Sequence, residues 1–454
     1  MPKQNYWLNT AFILSAALTL YIGYFVPRES TIELISAYTL LFASVILIFR
    51  NLDNGDEELA YYWGMLLRVL LIASVPKLSD DIFRFVWDGR LLTSLEDPYK
   101  HLPAYFLDKG IDGVDLALFT KLNSQEYFSV YPPLNQVIFF LGALFSPNSI
   151  VWSTVVIRVV LLIFELGNIR LIQKLLAHYG LPQKYGLIYA LNPLVILEVT
   201  GNLHFEAIVI FFLLQTLWYY EQDKLHWSAV FFGLSVATKF IPLIVLPLLL
   251  KKIGLKKTAI YGLIVLATVA VSFLPLINTA HVWAIWDSMT LYFQKFEFNG
   301  SIYYLARWYG FETAGHNIIA QTGKWMMYAT FVTIMIYSLL TRKKADWPRQ
   351  MIWVWLLYLL FATTVHPWYV IPLLAVSVFS NIRFPLLWSY LIFLSYINYS
   401  GGNYQDRIDV VIIEYGVLVV IILLEVFGVR LNKWLFNLPS SKWKVDHQVP
   451  SVKD

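Results

Sequence analysis

The stretch TIELISAYTLLFASVILIF, Thr31 to Phe49, decides the class of this protein: nineteen residues carry a single charge, Glu33, and no proline or glycine. Wound as an α-helix it is about 28 Å long at 1.5 Å per residue, close to the roughly 30 Å of a hydrocarbon core. Apolar runs recur on both sides of it, over roughly 7–27, 31–49, 59–77, 133–147, 150–170, 185–199, 204–220, 227–250, 258–277, 318–340, 350–365, 367–380, 384–398 and 410–428, several of them too short to span alone. Lipid admits only helices and closed barrels as spanning structures, and these runs lack the alternation of barrel strands. The fold class is therefore an all-α polytopic membrane protein, a bundle of about 11–14 transmembrane or half-membrane helices. The first run, Trp7 to Val26, is longer than a signal-peptide core and has no small-residue cleavage site after it, so it is expected to stay as a span.

Composition agrees with that class. Of 454 residues, 58% are hydrophobic and 14% charged, against roughly 25% charged in soluble domains. The net charge of +4 is small, and its lysines sit in short loops. That pattern suits cytoplasmic flanks and not a nucleic-acid surface. The absence of cysteine leaves no disulfide framework and no thiolate metal site. Basic loops at Lys251, Lys252, Lys256 and Lys257, and at Arg342, Lys343, Lys344 and Arg349, mark the cytoplasmic face.

With a cytoplasmic N-terminus, the third span delivers the chain to the outside near Leu78. Residues 79–131 then form an extracytoplasmic loop, the largest polar segment, with nine Asp and Glu against five Lys and Arg. The expected organisation is one integral membrane domain over 1–454, with juxtamembrane helices in the 79–131 loop. Strict alternation fails at Lys174 and Lys184, which belong inside while counting puts them outside. Some middle segments must then be half-helices or re-entrant. Pro132, Pro133, Asn192, Pro193, Pro242 and Pro247 lie at or inside apolar runs, where proline breaks helices and a broken helix is tolerated if it lines a cavity.

Candidate chemistry collects at these breaks. Ser79-Asp80-Asp81 opens the long loop, followed by Arg84, Trp87, Asp88 and Arg90. Two adjacent carboxylates at a low-dielectric rim need cations, a metal or hydrogen bonds to stay ionised. In a helix, Arg84 shares a face with Asp88 at four and with Trp87 at three. The plainer reading is that Ser79, Asp80 and Asp81 cap that helix. Next come Asp97-Pro98-Tyr99 and Tyr131-Pro132-Pro133, where Tyr131 also reads as an interfacial aromatic. Asn192-Pro193-Leu194, Glu198, Asn202, His204 and Glu206 lie between apolar runs, either as functional groups at depth or as a surface loop. Lys239 interrupts the run Phe231–Leu250 and suits a phosphate, although snorkelling or an acid partner would also hold it. His366 precedes Pro367, Trp368 and Tyr369, where an ordinary interfacial histidine is the alternative.

Taken in order, these stretches resemble the GT-C membrane glycosyltransferases, specifically the bacterial polyprenol-phosphate-mannose-dependent type that is similar to the catalytic subunit of the GPI mannosyltransferase I. The resemblance runs from about Trp63 to Tyr369. It implies transfer of a hexose, mannose above all, from a polyprenyl-phosphate-sugar to an extracytoplasmic glycan or lipid acceptor, with inversion. It also implies a bacterial inner membrane and an active site on its outer side. An acid of the first outer loop would be the general base, and the match falls on Asp80 or Asp81, with Asp80 slightly preferred. Relatives often carry Asp-x-Asp, whereas here the acids are adjacent, and the second could hold the acceptor or a metal. No cofactor is expected, and a divalent metal is permitted but not indicated.

A sugar hydroxyl needs a carboxylate within about 3 Å to take its proton as the glycosidic bond forms. Lys239, Arg84 and His366 are the cations or donors for the leaving phosphate, and Trp87, Tyr131, Trp368 and Tyr369 are the candidate stacking faces. No Gly-rich nucleotide motif follows a strand-like segment, which suits a lipid-borne donor. The rival class is a secondary transporter of a sugar or organic anion, with broken helices and buried charges but normally an internal repeat, which is not evident here. A lipid-linked glycan polymerase or flippase is the third reading.

Overall fold

In the computed structural model, residues 6–53, 55–274, 296–341, 346–402, 404–429, 436 and 438 are described. The protein is all-α, and the only extended pairing among those residues is one parallel bridge, Phe298 with Thr364. Four helical stretches are long and apolar enough to cross a membrane alone: Tyr6–Tyr24, Thr31–Asn51, Ile150–His178 and Ile241–Phe273. The remaining elements are shorter because prolines and polar residues break the apolar runs where the sequence marks them.

Contacts sort the helix ends onto two faces. Arg28, just past the first helix, ion-pairs with Asp80, whereas Leu52, at the far end of Thr31–Asn51, accepts from Lys184 Nζ at 3.3 Å. On the Lys184 face Tyr179 donates to Glu221 at 3.0 Å. Lys252 lies in the field of Glu221 and Asp346, and Arg383 stacks on Tyr185 at 4.3 Å. The Asp80 face collects Glu206, Lys239, Phe273, Phe298, Thr364 and Tyr399 around one cavity. The chain shuttles between the two faces, and the cavity is lined mostly at helix ends, at breaks and by the loop residues 123–132.

Two corrections to the span assignments follow. Pro133–Phe145 has 13 residues, about 20 Å of helix, and lies against Asp81–Thr93 so closely that a Cβ on Gly89 would come within 2.2 Å of Phe139 O. At that length it is too short to cross a roughly 30 Å core alone, and it packs on the Asp81–Thr93 helix. The chain leaves the acidic loop through Ile150–His178 alone, which brings Lys174 and Lys184 to the Leu52 face and removes the conflict in counting. The run 227–250 is the opposite case. Its helix stops at Thr238, Lys239 is extended (φ −158°, ψ 134°), and a 3-10 segment Ile241–Leu248 turns back. Gly254, with φ +79°, reverses the chain again, so Ile241 and Phe273 both reach the cavity although they belong to one nominal 33-residue helix. Of the basic loop at 342–349, residues 342–345 lie outside the described residues.

The expected re-entrant break is sharp. Asn192 accepts at its side chain from Leu194 N at 2.9 Å and starts Pro193–Val195. Ile196–Gly201 is a π-helical turn. The axis then bends by 115° into Glu206–Glu221, with Leu203 left-handed at φ +64°. Arg158, wholly buried, closes the exposed end of the turn by donating to Thr200 O at 2.7 Å, Gly201 O at 3.1 Å and Ile72 O at 2.7 Å. Buried carbonyls freed by a break must find such partners.

Candidate active site

The bend, the start of Asp81–Thr93 and the breaks at Lys239 and His366 meet at a cavity of about 910 Å³. Asp80 stands at the N-cap of its helix but makes no capping hydrogen bond. It binds Arg28 Nη2 at 2.5 Å, and Arg28 lies over the Tyr399 ring at 4.8 Å. At this helix start Asp81 N–H donates to Ser79 Oγ at 3.3 Å. Asp81 Oδ1 accepts from the neutral amide of Asn123 at 2.7 Å. Both carboxylates are half-buried and line the cavity, so capping does not account for them.

Across the cavity Glu206 opens its helix, where the dipole favours an acid. Lys239 forms an ion pair with Glu206 and stands over the Tyr369 ring at 4.4 Å. Glu206 is 2% exposed and Lys239 28%, so the lysine is the partner that reaches the open space. His204 stacks on Trp368 at 3.6 Å, Trp368 on His366 at 4.4 Å, and His366 on Phe298 at 4.6 Å. These four rings form a continuous stacked shelf whose edges line the cavity. His204 also lies 3.3 Å from the buried Glu198, which accepts from Tyr396 at 2.7 Å. Tyr99, whose hydroxyl donates to Tyr131 O, and Tyr131 complete the rim, with Tyr131 edge-on to Phe85 at 5.1 Å.

The cavity thus gathers Asp80, Asp81, Arg84, Tyr99, Tyr131, His204, Glu206, Lys239, His366, Trp368 and Tyr369. It does not gather Trp87, Asp88, Arg90 or Asn202. Trp87 is buried against Phe119 at 6.0 Å. Asp88 accepts from Arg84 at 2.7 Å, Ser129 at 2.5 Å and Gln136 at 2.9 Å, which pins loop 124–136 to the helix. Arg84 extends that brace to Ser124 O and Tyr127 O at 3.2 and 3.0 Å. Arg90 donates to Gly113 O at 2.5 Å, and Asn202 holds Leu78 N–H at 3.2 Å. These four scaffold the acidic loop from behind. Sequence reasoning missed Arg28, Asn123, Glu297 and Tyr399. Arg28 ends the first apolar run and could have been flagged as a cation at the same face as the acids; the others carried no signal.

One part of the cavity lining is polar, with Asp80, Asp81 and Arg28. Another is apolar, with Phe240, Ile241, Leu243, Ile244 and Phe273, all from the doubled-back stretch that follows Lys239. Lys239 stands at the boundary. Among the described residues no group of three or more His, Asp or Glu is placed to hold a metal ion.

A search of the curated proteins finds no match. The family model described as alpha-(1->6)-mannopyranosyltransferase, N-terminal domain, matches residues 12–254, a span that contains Asp80, Asp81, Glu206 and Lys239 together with the bend that presents them. That is more than half of the chain, which therefore belongs to the alpha-(1->6)-mannopyranosyltransferase family of glycosyltransferases.

Proposed function

We propose that the protein is an inverting GT-C mannosyltransferase that takes mannose from a polyprenyl-phosphate carrier and places it, in α-1,6 linkage, on a glycan or lipid acceptor at the outer face of a bacterial inner membrane. One observation carries the reading: a single cavity joins a carboxylate pole to an apolar pole, with a lysine at the boundary. A prenyl chain fits the apolar pole, a phosphodiester meets Lys239, and the sugar lies on the His204–Trp368–His366 shelf before Asp80 and Asp81.

Of the two acids, Asp81 suits the base. Asp80 is held in an ion pair by the Arg28 guanidinium, which occupies one of its oxygens, while Asp81 makes no ion pair among the described residues and accepts from the Asn123 amide through Oδ1. This reverses the slight preference for Asp80, which sequence alone gave no means of testing. Asp81 takes the acceptor hydroxyl's proton as its oxygen attacks the anomeric carbon, on the face opposite the departing phosphate. An α-bond then arises in one displacement from a β-linked donor. Lys239 exchanges Glu206 for the leaving phosphate and offsets its charge. The face that gathers Lys174, Lys184 and Lys252, opposite the cavity, supports an extracytoplasmic site under the positive-inside rule.

The experiment offers purified protein in nanodiscs radiolabelled polyprenyl-phosphate mannose, polyprenyl-phosphate glucose or GDP-mannose, each with an α-mannoside acceptor. Transfer from the first alone is the expected outcome. Transfer from the nucleotide sugar, or from no donor, would remove the lipid-donor reading.

A further inference from the structure

The C-terminal part of the chain builds a second wall of the cavity that the donor reading leaves unused. Tyr399 lies beneath Arg28 at 4.8 Å, so this wall begins beside Asp80. Tyr404 follows at 5.6 Å from Tyr399, and Phe298 lies 6.2 and 6.0 Å from the two tyrosines. Behind these rings is a charged network. Asp406 accepts from Tyr404 Oη at 2.6 Å and from Arg307 Nη1 at 2.6 Å. Burial first, and the Asp406 bond second, raise the Tyr404 phenol above its usual pKa, so it remains a donor. Glu297 lines the cavity beside them. Its Oε2 accepts from Tyr303 and from Asn317, the latter at 2.9 Å, while among the described residues Oε1 has only Arg307 at 3.5 Å, too far for a good hydrogen bond.

Aromatic faces set beside carboxylate acceptors match a pyranose, which presents C–H faces to rings and hydroxyls to charged acceptors. The wall also stands apart from the donor phosphate site. Lys239 is over Tyr369 and Arg28 over Tyr399, at opposite ends of a ring series Tyr369, His366, Phe298, Tyr399 with neighbouring centroids 5.5, 4.6 and 6.2 Å apart. Every residue of the wall lies beyond residue 254, where the family match ends.

We propose that Tyr399, Tyr404, Phe298 and Glu297, stiffened by Asp406 and Arg307, form the binding subsite for the acceptor saccharide, with Glu297 Oε1 accepting from a sugar hydroxyl. The proposal rests on the reading of the chain as a lipid-donor mannosyltransferase for its role, though not for its ligand class. It places the residues that choose the acceptor beyond residue 254, whereas the base Asp81 and the phosphate partner Lys239 lie within the family match.

The test measures binding of methyl α-mannopyranoside and α-1,6-mannobiose to the full chain in nanodiscs by saturation-transfer NMR, alongside KM values for acceptor and donor. Tyr404→Ala and Glu297→Gln should each weaken mannobiose binding and raise acceptor KM by about 3- to 10-fold, with donor KM within about twofold. Tyr404→Phe keeps the ring and should bind nearly as the parent does. If the parent transfers mannose but neither variant alters saccharide binding, the subsite is wrong and the function stands. If the parent uses no polyprenyl-phosphate donor yet binds mannobiose in a Tyr404-dependent way, the function reading fails and the subsite stands. A parent that binds neither saccharide overturns the proposal.

Discussion

Lys239 and Glu206 form an ion pair in the donor-free cavity, so a phosphate arriving at Lys239 competes with a carboxylate already there. Glu206→Gln weakens the competitor without changing its shape. Hydrogen bonds to charged groups contribute about 1.5–3 kcal/mol, and the Lys239 ammonium keeps one with the Gln amide. The substitution therefore removes up to about 1.5 kcal/mol of competition, equivalent to as much as about a 10-fold lower donor KM. Lys239→Met should act the other way and raise donor KM by about 10- to 150-fold, the value of a charge-assisted phosphate contact. It also strands Glu206, which is 2% exposed, so that variant should lose thermal stability. The double variant Lys239→Met with Glu206→Gln should recover stability while keeping the high KM. The assay is initial rate against polyprenyl-phosphate mannose in nanodiscs at saturating acceptor, with a melting curve for each protein. A donor KM that rises in Glu206→Gln, or stays put in Lys239→Met, refutes the exchange of partners.

Three further outcomes follow from the scaffold. Arg158→Leu removes the donor from two carbonyls at the 115° bend, Thr200 O and Gly201 O, and from Ile72 O and should cost about 3 kcal/mol or more, seen as a lower melting temperature and loss of a monodisperse species. Gly89→Ala forces a Cβ to 2.2 Å from Phe139 O; the two juxtamembrane helices must part at a cost of about 1–3 kcal/mol, read from the same melting curve. Because the chain has no cysteine, single cysteines at the exposed Asp112 and Lys256 report topology directly. An impermeant reagent on intact cells should label the first and not the second, and equal labelling overturns the assignment of faces.

The sequence reads most clearly where hydrophobicity alone decides. Thr31–Asn51 and Ile150–His178 are long apolar runs with few competing signals, and they fold as expected. It reads less clearly where two segments of one composition can run in series or lie side by side. Pro133–Phe145 has the hydropathy of a span, but it is 13 residues long and lies side by side with the Asp81–Thr93 helix at Gly89. The doubling back between Lys239 and Gly254 is hidden for the same reason, since a 3-10 segment of Ile, Leu, Val and Pro differs from a spanning helix in backbone angle and not in polarity. In the site, Asp80, Asp81, His204, Lys239 and His366 were legible because ionisable groups in apolar runs are conspicuous. Asp88 and Arg90 were conspicuous for the same reason yet serve as braces, because the sequence does not show that Ser129, Gln136 and the Gly113 carbonyl wait behind the helix. Arg28 and Tyr399 escaped notice because their importance lies in a contact between distant parts of the chain.

The most direct test compares Asp81→Asn with Asp80→Asn in single-turnover mannosyl transfer. Neither side chain caps its helix, so both variants should assemble with near-parent stability. Asn at 81 can still pair with Asn123 but accepts no proton, and loss of a general base typically lowers the rate by about 10²- to 10⁴-fold. Asp80→Asn only frees Arg28 and should lower the rate by about tenfold, the value of one charged contact. A deficit of two orders of magnitude or more confined to Asp81→Asn is the predicted result. Parent-like transfer in Asp81→Asn, or equal deficits in both variants, would contradict the assignment of Asp81 as the base.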